Sequence, residues 1–204
     1  MSKNIKDFVS TYYSDKIKKH GATASGVDWN GEESQFLRFA QLSKIIEKEP
    51  FAILDYGCGY GAYLSYLKST YRNFMYFGFD VSKEMIQAAQ EQQASHKNAF
   101  SQSPDELHAA DYVMASGIFN VRNKISDKDW LNYIQSELNE INRLAKNGFS
   151  FNALTSYSDE EHKRDYLYYA DPLFLFDYCK QNFSRNVALL HDYELYEFTI
   201  LVKK

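Results

Sequence analysis

Two aspartates each end an apolar run: Asp55 follows Phe51, Ala52, Ile53 and Leu54, and Asp80 closes the stretch MYFGFD. Between them, in FAILDYGCGYG, glycine alternates at positions 57, 59 and 61. Runs this short and this abruptly ended read as buried strands, so the two carboxylates fall at the ends of successive strands. With no Cβ, Gly57, Gly59 and Gly61 let the main chain turn tightly and present its N–H groups to a ligand. The helix expected next aims the positive end of its dipole at the same spot. Cys58, inside the loop, reads equally as a small packing residue.

The elements that position these groups follow from periodicity. Residues 2–21 predict a helix broken near Ser10 to Ser14, with Phe8, Val9, Tyr12 and Tyr13 on its apolar side, ending at His20-Gly21. A polar loop with Asp28 and Trp29 leads to a helix over about 32–48, closed by Pro50. After the glycine loop come a helix over 62–69, the strand MYFGFD, and a helix that carries Met85 and Ile86 inward. A third strand is weakly signalled at 98–103, and DYVMASGIF predicts a fourth with a polar stop at Ser116, Gly117 and Asn120. A long amphipathic helix follows over about 127–146, capped at Ser126 or Asp127, then a fifth strand in GFSFNALT. The charged stretch SYSDEEHKRDYLYYADP, a helix over 173–183 and a closing hairpin, with strands near 187–190 and 196–202, complete the chain.

At 204 residues the chain fits one domain, divided here into a helical segment, 1–49, and a globular unit, 50–204. Its net charge of −4 argues against a nucleic-acid partner. The two cysteines, Cys58 and Cys179, form no disulfide framework and have no metal-ligand spacing, so a reducing cytoplasm is expected and no metal. No apolar block suggests a leader or a membrane span. The 17 tyrosines and 15 phenylalanines exceed what a core alone requires and suit a pocket for a flat or apolar ligand.

The stretch ILDYGCGYG resembles the first motif of class I S-adenosylmethionine-dependent methyltransferases, an acid followed by G-x-G-x-G, and Asp80 sits where that family keeps its ribose-holding acid. Nicotinamide-binding proteins also place a glycine loop after their first strand, with an acid about 20 residues on. Here Ala62 follows Gly61, and the third glycine of the dinucleotide fingerprint is absent. The resemblance implies an α/β three-layer sandwich with a seven-stranded, mostly parallel, Rossmann-like sheet, an antiparallel last strand and an N-terminal helical lid. It implies S-adenosyl-L-methionine as cofactor and S-adenosyl-L-homocysteine as product. Asp55, Gly57, Cys58, Gly59, Gly61, Asp80, Val81, Met85 and Ser116 would line the cofactor site, Asp55 toward the ammonium and Asp80 toward the ribose. A core role serves Met85 equally well, and the missing acid just after the third strand leaves the adenine contact open.

Tyr12, Tyr13, Asp28, Trp29, Arg38, Asn120, Tyr168 and Tyr169 are the acceptor-site expectations. Packing is the competing role for Tyr12 and Tyr13, and anchoring of a solvated loop for Tyr168 and Tyr169. In place of the N-P-P-Y-like segment that grips a base or amide, the fourth strand ends A-S-G-I-F-N. The expected acceptor is therefore a small molecule, with a hydroxyl oxygen favoured, of the kind found in surface-polysaccharide or secondary-metabolite modification. Were a base needed, His20 and His191 are the two candidates, with surface histidines as the competing reading. A nicotinamide-dependent oxidoreductase and a non-catalytic cofactor-binding protein stand as alternatives.

Overall fold

The computed structural model describes residues 2–23, 26 and 31–204. Helix α1 spans Ser2–His20 and α2 Glu32–Ser43. Strand β1 (Phe51–Tyr56), helix α3 (Ala62–Thr70), strand β2 (Phe74–Phe79) and helix α4 (Lys83–Gln92) follow. Strand β3 is only Phe100–Ser101, and β4 is Ala110–Ala115. Helix α5 (Asp127–Leu144), strand β5 (Ala145–Leu154), helix α6 (Pro172–Asn182) and strands β6 (Asn186–Leu190) and β7 (Glu197–Lys203) complete the order.

The seven strands form one sheet in the order β3-β2-β1-β4-β5-β7-β6. Neighbours from β3 to β5 are parallel, and β7 runs antiparallel to both β5 and β6. This is the expected three-layer arrangement. The order reverses between β1 and β4, and the crevice beyond the carboxyl ends of these strands is where open α/β sheets bind ligands.

Each face of the sheet has its own apolar layer. One joins Val9, Trp130, Ile134, Leu138, Phe149 and Phe151, and so packs α1 and α5 on the sheet. The other joins Phe39, Leu42, Tyr63, Leu64, Met85 and Ile86, burying α2, α3 and α4. Helix α5 shows why its sequence folds here. Its Trp130, Ile134, Leu138 and Ile141 make one fully buried stripe, and Ser126 caps it by accepting from the Asp129 amide.

Several boundaries depart from the sequence expectations, among them the end of β4 at Ala115 instead of Phe119 and the start of β5 at Ala145, and three have a local cause. Helix α1 is continuous through Ser10 to Ser14: the Ser10 and Ser14 hydroxyls bond outward to the loop after β2, and only Thr11 bonds back, to the Asp7 carbonyl one turn earlier. Helix α2 stops at Ser43, where the amides of Lys44, Ile45 and Ile46 turn to carbonyls three residues back. The third strand shrinks because residues 94–99 are taken up in 3-10 turns.

Candidate active site

The glycine loop and Asp80 form one hydrogen-bonded unit. Gly57 and Gly61 hold positive φ, 84° and 81°, which side chains avoid. The amides of Gly57 and Cys58 both donate to the Phe79 carbonyl, at 2.7 and 2.9 Å, and the Gly61 amide donates to the Cys58 carbonyl. The Gly59 amide donates to Asp80 Oδ2 at 2.9 Å, and the Ser82 amide to Asp80 Oδ1 at 2.8 Å. The loop's N–H groups are thus taken up inside the protein, contrary to the expectation that they face a ligand. The loop offers bare main-chain surface and fixes the acid beside it.

Asp55 is 2 % exposed, and Tyr76 donates to its Oδ2 at 2.7 Å. Burial pushes its carboxyl up to about 7, against the Tyr76 bond, with Asp80 adding repulsion. Burial likewise lifts Asp80 to about 6, opposed by the amides of Ser82 and Gly59. Both acids face one cleft, whose cavity volume is about 90 Å³. Gly57, Cys58, Gly59, Val81, Met85 and Ser116 line it too. The buried Ser116 hydroxyl has no hydrogen-bond partner among the described residues.

Gly61 does not line the cleft. A Cβ there would meet Phe100 at 3.0 Å and Ala89 at 3.4 Å, so this glycine serves the packing of α3 against β3 and α4. Of the acceptor-site expectations only Tyr13 lines the cleft among the described residues. Asp28 and Trp29 lie outside the described residues. Tyr12 packs on Phe8 and Tyr13 and carries Lys16 over its ring. Arg38 is locked in a buried two-pronged ion pair with Glu197, both bonds 2.9 Å. Glu197 in turn accepts from Asn152, whose Oδ1 takes the Gly117 amide at 2.7 Å. Arg38 therefore braces the loop after β4 from behind. Asn120 accepts from the Leu154 amide, and its carbonyl accepts from the Tyr168 amide. Tyr169 accepts from the Arg164 amide, anchoring the connection after β5. His20, at the end of α1, and His191, between β6 and β7, are exposed and outside the cleft.

The cleft has walls that the sequence reading missed. Gln35 of α2 accepts from the Tyr60 hydroxyl at 3.0 Å on one side. On the other stand Tyr56, Tyr133 and Glu137, with Glu137 only 3 % exposed. A charged residue on the apolar stripe of an amphipathic helix is the signal that marks Glu137. Helix α1 closes over this side: Ser10 donates to the Val81 carbonyl, the Ser14 and Ser82 hydroxyls pair at 2.8 Å, and Lys6 meets Glu137 at 2.8 Å.

The family model described as "Methyltransferase domain" matches residues 53–148. The chain is 53 % identical over 157 residues to "Putative methyltransferase Rv1506c" of Mycobacterium tuberculosis, covering 76 % of this chain and 95 % of that one. Among solved structures it is similar to magnesium protoporphyrin IX methyltransferase of Synechocystis PCC 6803 with bound SAH, with a TM-score of 0.65, 13 % identity and 100 % of both chains covered. The plantazolicin methyltransferase BpumL, solved with a pentazolic desmethylPZN analog and SAH, gives 0.61 at 13 % identity, again over 100 % of both chains. At these identities the two structures speak to the fold.

Proposed function

The chain belongs to the methyltransferase-domain family, of the class I S-adenosylmethionine-dependent type, and from that premise we propose that it methylates a small molecule at a hydroxyl oxygen. The observation that carries the reading is the convergence of Asp55, Asp80 and the unpartnered Ser116 hydroxyl on one cleft beneath α1. Family membership favours this over the nicotinamide alternative.

The residues suit the cofactor. Among the described residues Tyr76 is the one donor to Asp55, which leaves Oδ1 for the ammonium of the amino-acid end. Asp80, held rigid by two amides, keeps lone pairs for the ribose hydroxyls. Gly57 and Gly59 let the ligand lie against main chain, and the Ser116 hydroxyl gains the partner it lacks. The bound cofactor supplies a methyl group made electrophilic by a positive sulfur.

The protein's share is then placement and dryness. Helix α1, through Val9 and Tyr13, covers the cleft and keeps water from it. An acceptor held in line at contact distance needs little more. With His20 and His191 outside the cleft, its described lining offers carboxylates, tyrosines and Cys58 but no imidazole or amine. The net charge of −4 supports a small acceptor over a nucleic acid.

The test is a panel of phenols, sugars, aliphatic alcohols and amines incubated with S-adenosylmethionine, read by mass spectrometry for the added methyl and its position. Ether products are expected. Products methylated only on nitrogen would remove the oxygen assignment, and turnover only on polymers would remove the small-molecule one.

A further inference from the structure

Three carboxylates line the cleft, with no lysine, arginine or histidine among its described lining residues. Asp55 and Asp80 have tasks in the proposed function; Glu137 has none. It lies on the opposite face of β1 from Asp55, because successive strand residues alternate. Asp55 turns to Tyr76, whereas Tyr56 turns to α5 and donates to Glu137 Oε2 at 2.7 Å. Lys6 holds Oε1 at 2.8 Å but is itself 37 % exposed, so its ammonium stays partly in water. The result is a carboxylate fixed in a dry wall and matched from outside by a cation that α1 brings.

The methyl donor and its spent product share an ammonium, a carboxylate, a ribose and an adenine. They differ by one methyl group and one positive charge, both at sulfur. Hydrogen bonds to the shared parts cannot distinguish the two. A fixed negative charge elsewhere in the cleft can, because Coulomb attraction in a partly dry site outlasts the screening of bulk water. The Ser116 hydroxyl, without a hydrogen-bond partner among the described residues, independently leaves the cleft a polar group for a ligand to meet. Resting on the methyltransferase reading, we infer that Glu137 makes the cleft favour the cationic sulfonium donor over its neutral thioether product, and so helps the product leave.

The experiment is calorimetric binding of S-adenosylmethionine and of S-adenosylhomocysteine to the wild type and to Glu137→Gln, which keeps the shape and removes the charge. Wild type binds both. The variant loses about tenfold for the donor and at most about twofold for the product, the scale of a partly screened charge pair at an effective dielectric of about 20. Equal losses, or none, overturn the role of Glu137 and leave the methyltransferase reading standing. A wild type that binds neither ligand removes that reading and the inference with it. Should Glu137→Gln fail to fold, Lys6→Met carries the test: uncovering Glu137 should widen the donor's advantage severalfold, and an unchanged ratio overturns the proposal.

Discussion

The Gly59 amide and the Asp80 carboxylate are joined at 2.9 Å, so the turn after β1 and the acid after β2 are one mechanical piece. Asp80→Ala removes the acceptor for two amides as well as the proposed ribose contact. We expect the affinity for S-adenosylhomocysteine to fall by about 1–3 kcal/mol, the range for hydrogen bonds to a charged group, together with a lower melting temperature. Calorimetry and a thermal melt read the two effects separately. Unchanged affinity would take Asp80 out of the site.

Gly57→Ala meets two obstacles. The new Cβ lands 2.3 Å from Ile118 Cγ2, and the φ of 84° is strained for alanine. Loss of stability by about 1–3 kcal/mol is expected. Adding Ile118→Ala clears the clash but not the strain, so only part of the loss returns. Full recovery in melts of the double variant would show that conformation costs nothing there.

Glu197→Gln strands the Arg38 guanidinium, which is 7 % exposed, without its countercharge. Breaking a buried pair from one side costs about 3–5 kcal/mol, so the melting temperature should drop by on the order of 10 °C. Because the same carboxylate holds Asn152, and Asn152 holds Gly117, cofactor binding should weaken as well. Replacing both partners, as Arg38→Met with Glu197→Leu, should restore much of the stability and little of the binding. Melts and calorimetry on the three variants decide.

Asp55 at about 7 and Asp80 at about 6 bind their protons more tightly folded than unfolded. Unfolding therefore releases protons between about pH 4 and 7, and the stability from these groups, full below the ordinary carboxylate range, is lost as pH rises through 6 and 7. Glu84 does not blur this window. Lys18 and Ser14 hold it at about 2, so its contribution fades only as pH falls below the ordinary carboxylate value. Holding an ammonium requires ionised Asp55, so S-adenosylhomocysteine should bind more tightly as pH climbs from 5.5 to 8 while the empty protein melts earlier. Parallel trends in the two measurements would contradict the assignment.

The parts of the site that sit on strand ends were legible in the sequence, because an apolar run stopping at an acid announces both burial and edge. Asp55 and Asp80 stand at such ends and line the candidate cleft, as does the polar stop at Ser116. Gly61 was misjudged since spacing alone cannot say whether a glycine faces a ligand or, as here, Phe100. Arg38 looked available for an acceptor because its partner Glu197 lies 159 residues away and pairs with it only once β7 is inserted beside β5. Glu137 was overlooked for the related reason that a helix wall becomes a cleft wall only through tertiary packing. The histidines draw attention by chemistry, yet His20 ends helix α1 and His191 sits between β6 and β7, and both are exposed.

Ser10 and Ser14 bond to the Val81 carbonyl and the Ser82 hydroxyl just after Asp80, so α1 is fastened over the edge of the cleft beside that acid. With the methyl donor in this cleft, as proposed, exchange of spent for fresh carrier is expected to require that helix to lift. Strengthening the hydroxyl, ion-pair and apolar contacts that hold α1 should then slow turnover even where the chemistry is untouched.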